Sequence, residues 1–266
     1  MVRIISVANQ KGGVGKTTTT INLGTALAAT GEKVLIIDLD PQGNASTGVG
    51  IDRQARETSS YDLVVSNASV EEAAVKTKVP GLSIIPSTLD LLGVEQSIAN
   101  LKDRAYRVRK SLREGAGSAQ ALGYTYVLLD CPPSLNLLTI NALAASDAIL
   151  VPLQCEFFAL EGLSQLLQTV DHVRGTLNPD LKVHGIVLTM YDVRNSLAKQ
   201  VVADVRAHLG DKVYETIIPR NVRISEAPSF GKPALLYDVN CAGSRAYIDL
   251  ASEVIRREKQ FRRIAA

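Results

Sequence analysis

The stretch Gln10-Lys11-Gly12-Gly13-Val14-Gly15-Lys16-Thr17-Thr18 follows directly on the apolar run Ile4-Ile5-Ser6-Val7-Ala8, and no other part of the chain restricts its fold as strongly. A buried strand, a glycine-rich turn and a helix beginning near Lys16 aim several backbone N–H groups and the positive end of a helix at one point. Such a point suits the phosphate chain of a nucleotide. Gly12, Gly13 and Gly15 let the backbone come close to the phosphates and take positive φ without a Cβ penalty. In this reading Lys16 reaches the β- and γ-phosphates, the Thr17 hydroxyl sits on Mg²⁺, and Val14 and Thr18 complete the cradle. The pattern departs from the ordinary phosphate loop at one place. Where a glycine is expected, five residues before Gly15, stands Gln10, and beside it Lys11, a second lysine that a one-subunit cradle does not require.

Downstream, Thr18 to Ala29 reads as a helix stopped by Gly31, and Lys33-Val34-Leu35-Ile36-Ile37-Asp38 as the next buried strand. Strand, helix and strand of this length make a right-handed βαβ unit. Further strands are expected at Leu82–Pro86, Tyr126–Asp130, Ala148–Val151, Val183–Leu188 and Tyr214–Ile218, mostly as continuous apolar runs. Such runs belong to a sheet covered on both faces. The expected fold is α/β: one doubly wound domain over residues 1–266, with a mostly parallel sheet of about seven or eight strands, flanking helices, and ligands at the strands' carboxyl ends. Between Thr88 and Glu114 the spacing of Leu91, Val94, Ile98, Leu101, Ala105, Val108 and Leu112 predicts one helix. Its basic face, Lys102 to Arg113, reads as solvated surface, with an auxiliary polyanion contact as the other reading. The segment from Ile51 to Pro80 predicts only short helices.

Three carboxylates stand at or just past strand ends: Asp38, Asp40 and Asp130. Asp130 closes an apolar strand, where a carboxylate holds Mg²⁺ directly or through water, although an aspartate before Cys131-Pro132-Pro133 can also simply open a turn. Asp40 is the candidate for orienting an attacking water and a second metal candidate; Asp38 reads equally well as a support for the other two. The histidines 172, 184 and 208 lie away from these motif ends, so no nucleophile relay is suggested and the expected reaction is in-line attack of water on ATP. Cys131, Cys155 and Cys241 have neither metal-type nor disulfide-framework spacing and read as small core residues. The N-terminus enters the phosphate loop at once, which argues against a signal peptide, and the apolar run Ala142–Leu153 is interrupted by Asp147 and Pro152. A soluble cytosolic protein is expected. Net charge is only +2, but from Tyr191 onward 13 Lys+Arg face 9 Asp+Glu. The C-terminal end is therefore the basic end.

Five ordered blocks carry a family resemblance: Lys11–Thr18, Asp38–Asn44, Asp130–Ser134, Gln154–Gly162 and Ile218–Arg223 through Gly231-Lys232-Pro233. Together they resemble the deviant Walker A ATPases, and within them the chromosomal ParA (Soj-type) partitioning ATPases. The resemblance implies an ATP-sandwiched homodimer in which Lys11 crosses to the partner's phosphates. It implies binding to double-stranded DNA without sequence preference, hydrolysis stimulated by a ParB-type centromere-binding protein, and a nucleoid-associated bacterial location. It carries Pro219 and Asn221 onto the adenine-holding loop, with Met190 across from them. Arg194 and Arg223 match the DNA-contacting arginines, and Lys199 and Arg220 are weaker candidates nearby. From the residues alone, Pro-Arg-Asn is a turn and each arginine is a surface charge.

The rival readings are a MinD-like membrane-positioning ATPase and an ATP-dependent synthetase or cluster-bearing reductase. The last helix ends Ile255–Ile264, and of these residues only Ile255, Phe261 and Ile264 are large and apolar, little surface for a membrane anchor. The cysteine placement does not suit a cluster, and a synthetase leaves Lys11 and the basic C-terminus without a role. No helix-turn-helix is expected ahead of the ATPase.

Overall fold

The computed structural model describes residues 2–156 and 159–265, and the side chains of all of these except 159, 161 and 262–265. Its centre is an eight-stranded sheet in the order β3-β4-β2-β5-β1-β6-β7-β8. The strands are β1 (Arg3–Val7), β2 (Val34–Asp38), β3 (Val75–Lys76), β4 (Leu82–Ile85), β5 (Tyr126–Asp130), β6 (Ala148–Gln154), β7 (Lys182–Tyr191) and β8 (Val213–Pro219). All pairs are parallel except β3 with β4. The five central strands are buried almost throughout because helices cover both faces, which explains their unbroken apolar runs. Two apolar clusters result, one on each face of the sheet. One holds Ile4, Leu35, Leu129 and Leu188; the other holds Ile5, Ile36, Leu128 and Tyr214.

The helices are α1 (Lys16–Ala29), α2 (Asn44–Gly48), α3 (Ser60–Val65), α4 (Val70–Ala73), α5 (Val94–Ser97), α6 (Arg107–Arg113), α7 (Leu137–Ala145), α8 (Ala159–Thr176), α9 (Ser196–Leu209), α10 (Val222–Glu226), α11 (Ala234–Tyr237) and α12 (Ala242–Ala265). The short strand β3 carries no sequence pattern and was not expected. Serine caps with acidic partners start both α3 and α4, Ser59 with Asp62 and Ser69 with Glu72.

The single helix expected between Thr88 and Glu114 is corrected. A 3-10 segment (Leu89–Gly93), α5 and, after a series of turns, α6 take its place. Leu91, Val94, Ile98, Val108 and Leu112 are all buried as the stripe demanded, but Leu101 is exposed. Arg107 is not on a solvated face: it is buried and donates from Nε to Val64 O (2.8 Å) and from Nη2 to Val65 O (3.2 Å), satisfying carbonyls at the end of α3. Asp103 pairs with Arg107 and Lys110, which fixes the start of α6. Cysteines 131 and 155 are buried and free, whereas Cys241 is only half-buried and accepts the Ser244 N–H at the start of α12.

Candidate phosphate and nucleotide site

The loop leaving β1 is held by its own sequence neighbours before any ligand is considered. Asn9 is buried; its Oδ1 accepts the Lys11 N–H (3.0 Å) and its Nδ2 donates to Pro152 O on β6 (2.8 Å). Thr189 at the end of β7 donates to Val14 O (2.8 Å) from the other side. Gly13 (φ 74°) and Gly15 (φ 90°) are left-handed, as the turn requires. Gly12 is corrected on this point: its φ is not positive, and a Cβ there would meet nothing within 4 Å.

Lys16 opens α1 and is buried, with Nζ donating to Lys11 O (3.0 Å). Burial lowers its ammonium pKa, while the charge of Asp130 and, less, that of Asp40 oppose the shift. Thr17 Oγ1 donates to Asp130 Oδ2 (2.8 Å), and Thr20 Oγ1, one turn on, donates to Asp130 Oδ1 (2.9 Å). Asp130 is thus held against the helix start by two hydroxyls. Register places it between Val7 of β1 and Asp38 of β2.

Asp38 and Asp130 are both fully buried. Burial, and then the charge of Asp38, pushes Asp130 up to about 8; burial likewise raises Asp38 to about 6, against hydrogen bonds from Ser46. Asp38 accepts the Ser46 N–H (2.8 Å), the Ser46 hydroxyl (2.7 Å) and the Asp40 N–H (3.2 Å). It therefore supports the following turn and does not face the loop. A carboxylate beside a threonine hydroxyl at a phosphate loop is the donor set that suits Mg²⁺, which keeps waters and phosphate oxygens as its other ligands. No cluster of three or more His, Cys, Asp or Glu exists among the described residues, so an all-protein cage is not offered. Asp40 is half-buried; its carboxylate accepts the Gln42 N–H (3.0 Å) and its carbonyl accepts the Ser87 hydroxyl (2.6 Å).

Lys11 extends out of the loop, 39% exposed, and its Nζ lies 3.0 Å from Glu156 Oε2. Glu156 also accepts from Gln154 Nε2. The two loop lysines are therefore separated, one folded inward and one outward.

Met190, Pro219 and Asn221 come together, lining a cavity of about 210 Å³ with Gly15, Thr18 and Tyr247. Met190 is left-handed (φ 52°), an uncommon state for a side chain of its size. Asn221 does more than turn the chain: its Oδ1 caps α10, accepting from Arg223 N and Ile224 N. A neighbouring cavity of about 300 Å³ runs along α1 to Asn44, Thr47 and Lys232.

Arg194, in the turn after β7, is 86% exposed and pairs with Asp192 (2.8 Å). Arg220, at the end of β8, bonds through its N–H to Tyr191 O and adds to the positive field on Asp192. Lys199 is exposed on α9. Arg223 lies on α10, paired with Glu226 (3.1 Å) and 3.7 Å from Asp238. Residues that sequence reasoning missed are Asn9, Thr20, Ser87, Glu156 and Thr189. Asn9, adjacent to the loop, is the one that a local reading could have found.

Comparison with known proteins agrees with this geometry. An AAA domain family matches residues 2–183. "Chromosome partitioning protein ParA" of Caulobacter vibrioides is 63% identical over 259 residues, covering 97% of this chain and 96% of the relative. "Sporulation initiation inhibitor protein Soj" of Bacillus subtilis is 50% identical, covering 96% and 98%. A crystal structure described as cobyrinic acid a,c-diamide synthase from Mycobacterium smegmatis, with bound ADP and magnesium, superposes with a TM-score of 0.82 at 35% identity, covering 97% and 96%. With its glycine loop, Lys11, Lys16 and Asp130 arranged as described, the chain belongs to the AAA domain family and, within it, to the ParA/Soj chromosome-partitioning ATPases.

Proposed function

We propose that the chain is a Mg²⁺-dependent ATPase whose ATP-sandwiched homodimer binds DNA without sequence preference. Hydrolysis, stimulated by a ParB-type centromere-binding partner, releases it and drives segregation. The observation that carries this reading is the outward position of Lys11, exposed at the loop's rim while Lys16 alone occupies the loop interior. A lysine so placed suits the phosphates of a second subunit, where a cation supplied in trans is worth about 10³–10⁵ in rate.

In this mechanism the loop N–H groups from Lys11 to Thr18 cradle the phosphates, and Lys16 exchanges Lys11 O for a phosphate oxygen. Thr17 and Asp130 hold the metal, with Asp40 as a further candidate ligand. Magnesium, when bound, neutralises charge on the β- and γ-phosphates. Asp40, on the turn after β2, orients the attacking water. Met190, Pro219 and Asn221 enclose the adenine. Arg194 and Arg223, with Lys199 and Arg220 as lesser contributors, contact DNA phosphates. These arginines must first leave Asp192 and Glu226, exposed pairs worth little in water.

The membrane-positioning alternative is weakened at the C-terminus. Phe261 packs edge-on against His184 at 5.5 Å and so turns toward the protein body, while the side chain of Ile264 lies outside the described residues. No described helix is long and apolar enough to cross a membrane. The synthetase reading rests on a relative of lower identity than the partitioning proteins at similar coverage.

The test is binding of a random-sequence duplex with ATP, ADP and no nucleotide across a salt series, for the parent and for R194A and R223A. If a dimer neutralises about four to six phosphates, log affinity falls with log salt at a slope of roughly −4 to −5. Binding that requires ATP and weakens in both variants is expected. Absence of DNA binding in every nucleotide state, with hydrolysis intact, overturns the reading; so does ATP-dependent pelleting with liposomes.

A further inference from the structure

Beneath the Asp40 turn lies a polar cluster that the phosphate chemistry does not touch. Arg56, just after the 3-10 segment Arg53–Ala55, is 8% exposed. Its guanidinium makes four hydrogen bonds, all to neutral oxygens: Nε (3.3 Å) and Nη2 (2.9 Å) to Ile51 O, Nη2 to Thr47 Oγ1 (2.8 Å), and Nη1 to Ser87 O (2.9 Å). A buried cation is costly, and what it gains here is geometry: one planar group ties the far end of α2 to Ser87, two residues past β4.

Ser87, fully buried, passes that tie to the turn. Its hydroxyl donates to Asp40 O (2.6 Å), and its N–H donates to Ser46 Oγ (3.0 Å), which in turn donates to Asp38 Oδ2 (2.7 Å). Gly43, left-handed at φ 65°, completes the fit, because a Cβ there would run into Arg56 Nη1. The guanidinium therefore packs against the turn at Gly43 and bonds Thr47 beyond it, and through Ser87 it reaches the main chain of Asp40.

We propose that Arg56, acting through Ser87 and Thr47, is a positioning residue that holds the Asp40 turn in its hydrolytic geometry. The proposal rests on the role of Asp40 given above. Arg56 acts on Asp40 only through these neighbours; without it, Ser87 O and Thr47 Oγ1 lose a charged donor, and the turn keeps its serine hydrogen bonds and its own local ones, Gln42 N–H to Asp40 and Thr47 Oγ1 to Gly43 O.

The experiment compares the full-length parent with R56M, R56K, T47V and D40A. It reads native-state hydrogen exchange at the Gly43, Ser46 and Thr47 amides, ATP affinity, and single-turnover hydrolysis at saturating ATP. Exchange at these amides is expected to speed up about tenfold in R56M, which loses the charge-assisted bonds, and roughly threefold in T47V, which loses the Thr47 hydroxyl's bonds to Arg56 and to Gly43 O. Hydrolysis falls in the same order while ATP affinity stays within about twofold, and R56K recovers most of both, since an ammonium still reaches two of the acceptors. Thr47 is exposed, so T47V keeps the test decisive should R56M fail to fold. Unchanged exchange in T47V, or in a folded R56M, would overturn the proposal, as would faster exchange with parental hydrolysis. Parental hydrolysis by D40A would instead overturn the role of Asp40 and leave the exchange result to be judged on its own.

Discussion

Replacing Asp130 by asparagine should stabilise the nucleotide-free protein at alkaline pH and disable it as an ATPase. Asp130 is fully buried beside Asp38, and its pKa is raised to about 8, mainly by burial. The folded protein therefore holds a proton there that the unfolded chain releases near pH 4. Stability is highest on the acid side and falls as pH rises from about 4 toward 8. Each pH unit in that window costs up to about 1.4 kcal/mol, so pH 5 to 8 costs at most about 4 kcal/mol; rearrangement around the charged group reduces this to roughly 2–4 kcal/mol. Asparagine fits because both partners of Asp130, Thr17 and Thr20, are hydroxyls that can accept as readily as donate. The same exchange at Asp38 would set an amide N–H against the N–H of Asp40 or Ser46. The assay is thermal or urea unfolding of parent and D130N without nucleotide, at pH 5 and pH 8. At about 2 °C per kcal/mol for a chain of this size, the variant should gain about 4–8 °C on the parent between the two pH values. Parallel pH profiles for the two proteins would refute the buried-carboxylate argument, whatever happens to activity.

The phosphate loop predicts that K16A loses at least about a hundredfold in ATP affinity by fluorescence titration, since a buried charge-assisted contact disappears. M190G should leave stability within about 1 kcal/mol, because relief of the left-handed backbone offsets the lost side chain. The same change should weaken ATP by about threefold to tenfold as one wall of the 210 Å³ cavity goes; unchanged affinity would remove Met190 from the base site. G185A tests the fold itself: a Cβ there would lie 2.7 Å from Cε2 of the fully buried Tyr214 ring. Overpacking of that kind costs about 1–3 kcal/mol, read as a lower melting temperature with ATP affinity intact.

What could be read from the sequence was what is local. Residues 11 to 18 form the phosphate loop from consecutive positions, and the doubly covered strands announce themselves as apolar runs. The support of the site was hidden because its partners are distant in sequence: Thr20 with Asp130, Arg56 with Ser87, Lys11 with Glu156. The stripe from Leu91 to Leu112 misled for a related reason. Most of those residues are indeed buried, but burial at helical spacing does not distinguish one helix from short segments whose turns are fixed by tertiary bonds such as Arg107 to Val64.

The last helix makes the same point for function. The few large apolar residues of its end, from Ile255 onward, show little of how it is held, because beyond the buried Tyr247, Leu250 and Val254 much of what fixes it is polar. Glu258 of α12 is buried, accepts from Arg3 Nε of β1 at 2.8 Å, and lies 2.9 Å from His184 Nε2 of β7; His184 in turn meets the hydroxyl of Tyr214 on β8. Glu253, one turn before Arg257, accepts the Glu215 and Thr216 N–H groups, and Arg257 returns bonds to the carbonyls of His184, Asp211 and Val213. A helix sewn to three strands through buried charges would leave several of them unpaired if it lifted away, at a cost of several kcal/mol. Phe261 at its end is already occupied against His184 and Lys182. Polar and apolar side chains dock this helix together, Glu253 and Glu258 beside Tyr247, Leu250 and Val254, which is why a membrane-associating role fits the described residues poorly.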